Sequence, residues 1–532
     1  MSGRGSKRKG KSTNSVSMPH FVSTLRRTRH TAASYAKRPL MCMQTRTVPS
    51  SKSTSHRRED TLGEELIIAE PSGPEYVVKN RLQPEDGAIH GWYRFVLGYP
   101  PHLVREYLKT LEADPERDWV FDPFCGTATT PVEARLRGFS TLSADANPIS
   151  VLATRVKLAW DLDLGEVQSR LDDVLELAAA CLRRVHLTSI AEVNHQLTLF
   201  GAQVLRSEAN DTGLTATDFD PDDLLPPKTV ALIPNGFISR KPLLRVLALR
   251  YAIERIALQQ DIREFMVLAL ANTIVTTAGN VGFGPEVYRL PPREDADVLG
   301  AFAATVTRMI SDLQTILTKQ QRPLPPAHVF KDDARALSSL ENCPPIGIVI
   351  TSPPYPNEKD YTRSTRLESV LLGLITTKQD LRALKSSLLR SNTRNVFVGD
   401  NDDTFIDNIP SIVNVAEEIE ERRQQLRKTS GFERLYHRVT RLYFGGMYRH
   451  LAALQPKLRP GARCAYVVGD QMSFFRVHIR TAQLLADVAI KAGYEVEGIE
   501  LWRTRRSTTT GQDLEENVLI LRRPETGGDK NA

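Results

Sequence analysis

The stretch D-P-F-C-G-T-A-T-T, residues 122–130, is the most informative part of this sequence for the fold. A short apolar run, 119–122, leads into it, and a stretch with helical character follows it as far as Gly138. A second apolar run, 141–144, then ends at Asp145. This succession of strand, glycine loop, helix and strand predicts a β-α-β unit, and therefore a sheet with parallel strands.

The same loop predicts a ligand site. In an open parallel sheet, ligands bind at the carboxyl ends of the strands, which is where this loop lies. Gly126 lets the backbone approach a ligand closely, and Asp145 can accept hydrogen bonds from the hydroxyls of a ribose. No phosphate-binding lysine follows the loop, which argues against a P-loop nucleotidase.

Beyond this unit, the pattern predicts two halves of one sheet with helices between them. Residues 164–325 are mostly helical in pattern, so we predict a helical insertion, with one long helix over 243–277. After Pro326, strands and helices alternate again, and the predicted strands of the whole chain sum to about seven. The predicted elements of this second half are strands at 329–330, 346–350, 464–469, 495–502 and 518–521, and helices at 334–340, 361–375, 412–426, 433–458 and 478–492.

A second motif, T-S-P-P-Y at residues 351–355, directly follows the apolar run 347–350. Two consecutive prolines fix the backbone twice and remove two N–H donors, so the segment cannot easily continue the strand or begin a helix. We therefore predict a stiff loop at the carboxyl end of a strand, which presents the Ser352 hydroxyl and the Tyr355 ring.

This loop suits methyl transfer to the exocyclic amine of a base. Such an amine is a poor nucleophile, because its lone pair is delocalised into the ring. The Ser352 hydroxyl and the Pro353 carbonyl can accept its N–H hydrogens and hold the nitrogen in line for attack. Tyr355 can stack on a base rotated out of the duplex. The reaction needs no covalent intermediate, and no cysteine lies beside the loop.

Together the two motifs resemble the amino-methylating DNA methyltransferases of restriction–modification systems, in particular the type that makes N4-methylcytosine. That family carries a DPFxGxGTT-like cofactor segment and a TSPPY catalytic segment, and its adenine-specific relatives more often have Asp or Asn at the position of Ser352. The resemblance covers roughly residues 88–160 and 327–523. It implies an α/β fold with a Rossmann-like, seven-stranded S-adenosylmethionine-dependent methyltransferase sheet, S-adenosyl-L-methionine as cofactor, and double-stranded DNA as substrate.

Residue by residue, the resemblance assigns roles to both motifs and to several isolated positions. An N-terminal segment closes over the methionine end, Asp145 binds the ribose, and Asp333 contacts the adenine amine. The implied cofactor-binding residues are Tyr93, Arg94, Phe95, Asp122, Phe124, Gly126, Thr127, Asp145 and Asp333. The implied catalytic residues are Ser352, Pro353, Pro354 and Tyr355.

Basic residues after the catalytic loop and near the last strands are candidates for DNA contacts. Arginine and lysine side chains at such places bind phosphates and supply non-specific affinity, and Arg363 resembles a residue that lines the base pocket. The alternative is solvated surface charge. The candidates are Arg363, Arg382, Lys385, Arg390, Arg503, Arg505 and Arg506. Phe283 is either a wedge into DNA or a packing residue.

The sequence departs from the family pattern in two ways. Ala128 stands where the family usually has a second glycine, so we expect its methyl group to crowd the cofactor and weaken binding. A long helical segment, 164–325, also separates the cofactor half, 61–163, from the catalytic half, 326–523. We expect the surface that recognises the target site to be this insertion, the irregular segment 376–432, or both.

The chain of 532 residues has a net charge of +7, which is placed unevenly. Residues 1–60 hold fourteen Lys/Arg and two Asp/Glu, whereas the rest of the chain is slightly acidic. This part has the composition of a disordered tail; it is either a DNA-tethering arm, an inert extension, or the result of a start near Met41 or Met43. Residues 524–532 form a short C-terminal tail.

The remaining composition predicts a cytoplasmic enzyme with no membrane partner. No apolar stretch is long enough to cross a bilayer, and the five scattered cysteines fit neither a disulfide framework nor a metal site. Three alternatives stay open beside N4-cytosine methylation: N6-adenine methylation, RNA guanine-N2 methylation, and a catalytically dead DNA-binding module. The recognition sequence, a cognate restriction endonuclease and the oligomeric state are also open.

Overall fold

A computed structural model of the chain describes residues 82–94, 98–187, 216–256, 259–283, 287–320, 323–356, 360–506, 511 and 513–525. The basic tail at 1–60, the C-terminal residues 526–532 and Phe95 lie outside the described residues, and so does the side chain of Arg506. The expectations for these parts stay predictions.

Seven strands form one mixed sheet, as the sequence predicts. In chain order they are β1 (Trp119–Asp122), β2 (Thr141–Asp145), β3 (Ala327–Lys331), β4 (Ile346–Thr351), β5 (Leu458–Gly469), β6 (Glu495–Arg506) and β7 (Asp513–Arg522). Their order across the sheet is β3-β2-β1-β4-β5-β7-β6. The strand β7 runs antiparallel to both of its neighbours, and the other neighbouring pairs are parallel. The prediction of a Rossmann-like α/β sheet is confirmed.

The central strands are continuous apolar runs because both faces of the sheet are covered by helices. All six residues of β4 are buried. Alternate side chains point to opposite faces: Val120 and Ile348 pack against one helical layer, whereas Phe121 and Val349 pack against the other. The register that pairs Phe121 with Val349 also brings the last residues of β1 and β4 side by side.

Helices cover the two faces and form the insertion. Those of six or more residues in the described part are α1 (Pro101–Thr110), α2 (Thr129–Leu136), α3 (Pro148–Leu158), α4 (Leu164–Arg184), α5 (Arg240–Arg255), α6 (Gln260–Thr273), α7 (Val298–Leu317), α8 (Arg366–Leu371), α9 (Lys378–Ser387), α10 (Pro410–Gln425), α11 (Tyr436–Leu454) and α12 (Thr481–Lys491). Shorter helices are Pro221–Leu224, Pro227–Val230 and Tyr361–Ser364. Helix α1 packs on one face of the sheet, and α11 and α12 pack on the other.

The helical insertion is confirmed, and its helices share one apolar core with the β-α-β unit. Helices α4 to α7 bury apolar residues such as Leu247, Phe265 and Phe302 against one another, and this core continues onto α3 of the β-α-β unit. A π-helical turn, Ile274–Ala278, follows α6 and leads into a hairpin of Val281–Phe283 with Val287–Arg289. None of the helices in the described part combines the length and the apolar character that crossing a bilayer requires.

Three predicted elements differ in the structure. The helix expected over 334–340 is a turn ending in the 3₁₀-helix Ser338–Leu340, and the one expected over 361–375 is interrupted at Thr365. The long helix expected over 243–277 is two helices, α5 and α6, followed by the π-helical turn.

The segment 376–432, expected to be irregular apart from the helix over 412–426, also contains α9. Helix α9 begins with a capping box, in which the side chains of Thr377 and Asp380 each accept a hydrogen bond from the other residue's backbone N–H. This T-x-x-D pattern is a helix-start signal at the sequence level. Only one residue of α9, Leu384, is buried, so the apolar periodicity that would indicate a helix is weak.

Candidate functional site

A cavity of about 380 Å³ lies at the carboxyl ends of β1, β2 and β4. The strand order changes direction between β1 and β4, and ligands bind at such a switch point. The lining includes residues 124–127 of the glycine loop and residues 352–355 of the Ser-Pro-Pro-Tyr loop. The fold thus brings the two motifs, which are far apart in the sequence, into one cavity of a size that holds a small-molecule ligand.

Asp145 ends β2 at the wall of this cavity, as predicted for a ribose-binding acid. Its carboxylate accepts hydrogen bonds from the backbone N–H groups of Gly126 (3.0 Å) and Asn147 (2.8 Å). These bonds fix the carboxylate and tie it to the glycine loop. Burial raises the pKa of Asp145 to about 6, so the group is ionised at neutral pH and can accept hydrogen bonds from hydroxyls.

Asp122 has a different place from the one expected of a cofactor ligand. It is 1% exposed, it is not part of the cavity lining, and it lies behind the glycine loop. One carboxylate oxygen accepts hydrogen bonds from Phe124 N (3.1 Å) and Thr351 Oγ1 (2.6 Å), and the other accepts from the Tyr99 hydroxyl (2.9 Å). Burial raises its pKa to about 6. The structure therefore makes Asp122 a positioning residue that joins the glycine loop to the end of β4.

Two residues of the glycine loop adopt the left-handed conformation: Gly126 with φ +50° and Ala128 with φ +72°. A left-handed backbone costs a non-glycine residue about 1–2 kcal/mol, which explains a family preference for glycine at this position. The Ala128 side chain is fully buried and does not line the cavity. The expectation that its methyl group crowds the cofactor is wrong, because the strain lies in the backbone and the methyl group points into the core.

The N-terminal segment at residues 90–94 is held against the glycine loop by a buried lysine. The Lys157 ammonium donates to the backbone carbonyls of Tyr93 (2.7 Å), Thr127 (2.9 Å) and His90 (3.2 Å). Burial and the nearby Arg94 lower its pKa to about 7. The predicted residues Tyr93 and Arg94 line the cavity. Sequence analysis did not identify Lys157, which lies near the end of α3 next to the basic residue Arg155 and Val156.

A buried acid faces Tyr93 across the cavity wall. The Tyr93 hydroxyl donates to Glu368 Oε1 at 2.6 Å, and Glu368 is 2% exposed. Burial raises the pKa of Glu368 to about 7, although the tyrosine hydrogen bond opposes this shift. Glu368 lines the cavity and was missed by sequence analysis; its signal was an acid in the middle of the apolar helix R-L-E-S-V-L.

Asp333, the acid predicted to contact the adenine amine, lines the cavity together with Ala334 and Arg335. Its carboxylate accepts hydrogen bonds from the Arg335 guanidinium, including one of 2.7 Å from Nη2. Arg335 continues this network to Asp402 Oδ2 at 2.9 Å and to the Ser386 carbonyl at 2.7 Å. The network fixes the orientation of Asp333 and connects it to α9 and the segment that follows.

The Ser-Pro-Pro-Tyr loop is anchored on β5 and on the short helix Tyr361–Ser364, which follows the loop in the chain. The Ser352 hydroxyl donates to the Val467 carbonyl at 3.0 Å. The Tyr355 N–H donates to the Tyr361 hydroxyl at 3.2 Å. The Tyr355 ring packs so closely on Gly469 that a Cβ there would lie 2.9 Å from Tyr355 Cε2. All four residues of the loop line the cavity, as expected of a catalytic loop.

Three of the basic candidates lie at the cavity: Arg363, Arg503 and Arg505. Arg503 and Arg505 are both paired with Glu516, a buried acid on β7 that sequence analysis missed. They therefore face the site rather than open solvent.

The other basic candidates lie around α9. Arg390 is 3% exposed and pairs with Asp400 at 2.8 Å, so the expectation that it contacts phosphate is not met in this structure. A buried guanidinium with a carboxylate partner has a structural role. Lys385 is half-buried and donates to Asp360 at 2.9 Å. Arg382 is exposed, with its guanidinium 5.6 Å from the centre of the Phe397 ring, and is free to approach a phosphate.

The insertion also contributes to the cavity. Val275, Phe283 and Val287 line it, and Phe283 is partly buried against the helical core. The packing interpretation of Phe283 is therefore favoured over a wedge into DNA. The helical segment closes one part of the cavity with apolar side chains, while the sheet supplies the polar groups.

The chain is similar to the type II methyltransferase M.BsoBI of Geobacillus stearothermophilus, with 25% identity over 316 residues. The similarity covers 58% of this chain and 57% of that methyltransferase, so the chain spans less than two thirds of the length of this relative. No protein-family model matches the chain. The similarity agrees with the fold and with the family resemblance of the two motifs.

Proposed function

We propose that this chain is a site-specific DNA methyltransferase that transfers a methyl group from S-adenosylmethionine to the N4 amine of cytosine in duplex DNA. One observation carries the proposal: the glycine loop with Asp145 and the Ser352 loop share one cavity at the switch point of the sheet. A cofactor site and an amine-binding loop in a single cavity are what methyl transfer requires, since donor and acceptor must be held in line.

The residues at the cofactor end fit S-adenosylmethionine. The fixed carboxylate of Asp145 accepts the ribose hydroxyls, the Asp333 carboxylate accepts the adenine amine, and Tyr93 with Arg94 encloses the methionine end. S-adenosylmethionine supplies an electrophilic methyl group on a sulfonium ion.

Ser352 is set up to act as a hydrogen-bond acceptor. A hydroxyl has one hydrogen and two lone pairs, and the Ser352 hydrogen is directed at the Val467 carbonyl. The hydroxyl also contacts the Tyr355 side chain, which leaves one lone pair to accept an N–H from the target amine. The carbonyl of Pro353 can accept the second N–H, and both contacts draw the nitrogen lone pair away from the ring. Tyr355 stacks on the base, which has to leave the duplex to reach the cavity.

The similarity to a type II methyltransferase supports DNA as the substrate. It also supports a restriction–modification context, in which a cognate restriction endonuclease would be the functional partner. The insertion 164–325 and the segment 376–432 are the proposed surfaces for recognition of the target site, because both adjoin the cavity. Exposed Arg382 and the partly exposed Arg363 are the proposed phosphate contacts at its rim.

The test is to express the chain in a host without its own DNA methylation and to analyse hydrolysed DNA and RNA by mass spectrometry. We expect N4-methylcytosine in the DNA, a fall of at least about 100-fold in rate for Ser352→Ala, and no change for Thr110→Ala, an exposed threonine on α1 outside both proposed recognition surfaces. N6-methyladenine alone in the DNA would favour the adenine alternative, and N2-methylguanosine in the RNA alone would favour the RNA alternative. A folded protein that binds S-adenosylmethionine and methylates nothing would be a dead module.

A further inference from the structure

The ends of β6 and β7 contribute a charged cluster to the cavity wall that neither the cofactor nor the amine contacts require. Arg503 and Arg505 lie near the end of β6, and Glu516 lies near the start of β7. Glu516 is 5% exposed and pairs with both guanidinium groups, at 2.5 Å and 3.3 Å. The single carboxylate of Glu516 balances one of the two arginine charges, so these three side chains together have a net charge of +1.

Arg505 is the member of the cluster that is held in place with donors to spare. Its Nη2 donates to the Asp470 carbonyl at 2.6 Å, and its Nε lies 3.3 Å from Glu516 Oε1. In the part of the chain that the structure describes, Nη1 has no hydrogen-bond acceptor. Arg503, by contrast, is engaged by Glu516 and lies 4.7 Å from the centre of the Trp502 ring.

Arg505 also lies beside the catalytic loop. A Cβ at Gly469 would lie 2.9 Å from the Tyr355 ring and 3.2 Å from Glu516 Cγ, so the two side chains pack on one residue. The charge of Arg505 lowers the pKa of Tyr361, the partner of the Tyr355 N–H, although burial raises that pKa to about 12 overall. Tyr355 and Arg505 line the same cavity, so a base stacked on Tyr355 has a guanidinium beside it in that cavity.

The anchoring points of Ser352 and Arg505 lie close together in the chain. Ser352 is bound to the carbonyl of Val467 and Arg505 to that of Asp470. Both side chains line the same cavity, so a single base in the cavity can contact both.

From this arrangement we infer that Arg505 reads the edge of the target base and selects cytosine over adenine. With its N4 amine at Ser352, cytosine presents two acceptors, N3 and O2, to a guanidinium. Adenine in the same orientation presents one acceptor, N1, and then a C–H group. A donor that faces this C–H is left unpaired, which is costly in a buried site. This inference rests on the proposed function and deepens it by naming the base; it replaces the phosphate contact expected of Arg505.

The experiment uses the full chain and duplex oligonucleotides with the site found by sequencing modified bases in the host. The duplexes carry either cytosine or 3-deazacytosine, in which N3 is replaced by C–H, at the target position. For the wild-type chain we expect kcat/KM to be about 10- to 100-fold higher for cytosine. For Arg505→Gln we expect kcat/KM on the cytosine duplex to fall by a similar factor. The ratio of kcat/KM on cytosine to kcat/KM on 3-deazacytosine should then be near one. The matched control is Arg463→Gln, which removes a half-buried arginine on β5 that pairs with Glu497 and should leave both values unchanged.

Arg505→Lys and a cofactor titration complete the design. Lysine keeps the charge but offers a point donor instead of a planar pair. We therefore expect Arg505→Lys to bind the duplex with wild-type affinity and to lose most of the preference for cytosine over 3-deazacytosine, as Arg505→Gln does. Calorimetric titration with S-adenosylmethionine verifies that each variant is folded. A folded Arg505→Gln or Arg505→Lys variant that keeps the wild-type preference for cytosine over 3-deazacytosine overturns the inference and leaves N4 methylation intact. A wild-type chain that makes no N4-methylcytosine overturns the proposed function, and the inference with it.

Discussion

Glu368 offers a direct test of the electrostatics of the cavity. It is 2% exposed, and its carboxylate accepts a hydrogen bond from the neutral Tyr93 hydroxyl. Replacement by glutamine keeps the shape and an oxygen that accepts the tyrosine hydrogen bond, and it removes the charge. Glu368→Gln therefore imitates the protonated acid at every pH.

The size of the effect follows from the pKa of Glu368, which burial raises to about 7 from an ordinary value of 4.5. Between these two pH values the folded chain holds a proton that the unfolded chain has lost, so stability falls as the pH rises through this window. Above pH 7 the full cost of burying the charge is present. At 1.36 kcal/mol per pKa unit this cost is about 3 kcal/mol. The free energy of unfolding of Glu368→Gln should therefore exceed that of the wild type by about 3 kcal/mol at pH 8.5 and equal it at pH 4.5.

The assay is thermal unfolding of the cofactor-free protein at pH 4.5 and at pH 8.5. For about 400 described residues, about 3 kcal/mol corresponds to a midpoint about 3–4 °C higher for the variant at pH 8.5. Other acids such as Asp122 and Asp145 titrate in both proteins and cancel in the difference. Glu418→Gln, at an exposed position of α10, is the control. A Glu368→Gln variant that is equally or less stable than wild type at pH 8.5 refutes the reasoning.

Three further predictions test the corrected roles. Ala128→Gly relieves left-handed backbone strain of about 1–2 kcal/mol, but it loses a buried methyl group worth about 0.8 kcal/mol and adds about 0.5–1 kcal/mol of unfolded-state entropy. These terms nearly cancel, so the free energy of unfolding, measured by thermal unfolding, should change by less than about 1 kcal/mol. The affinity for S-adenosylmethionine, measured by calorimetry, should change by less than about twofold. Thr351→Val removes the hydrogen bond to Asp122 and should cost about 1.5–3 kcal/mol of stability, with kcat reduced more than cofactor affinity in steady-state kinetics. Arg390→Ala leaves Asp400 without its buried partner and should destabilise the fold by about 3–5 kcal/mol, whereas the remaining folded protein should bind duplex DNA with unchanged salt dependence in a fluorescence-anisotropy titration.

The sheet could be predicted from the sequence because its central strands leave a strong local signal. Residues 346–350 form a continuous apolar run, as a strand covered on both faces must, and the run ends at two prolines that cannot continue it. The rule that ligands bind at the carboxyl ends of parallel strands then places Gly126 and Ser352 in one site without any knowledge of distances. It could therefore be predicted from the sequence that the two motifs lie next to each other.

The roles of individual charged residues could not be predicted from the sequence, because they depend on partners distant in the chain. Arg390 and Arg382 look alike in sequence, yet one is buried on Asp400 and the other is exposed. Glu368 and Glu516 are acids in otherwise apolar or mixed stretches, and only the fold brings them to the cavity. Asp122 matched the cofactor motif, but its side chain points behind the loop to Thr351, which no local pattern indicates.

The place of Asp122 has a consequence for how the two halves of the site work together. Methyl transfer requires the donor and the nitrogen to be held at near-attack distance, and misplacement by about 1 Å can cost about 100-fold in rate. Two loops on separate strands would not by themselves hold such a distance. Here the Thr351 hydroxyl, the Asp122 carboxylate and the Tyr99 hydroxyl form one hydrogen-bonded chain in the protein interior, and Tyr99 continues it to Thr130 on α2. A buried network therefore joins the glycine loop to the Ser-Pro-Pro-Tyr loop and fixes the spacing between them. In the proposed function this gives a positioning role to Asp122, an acid of the glycine loop that does not line the cavity.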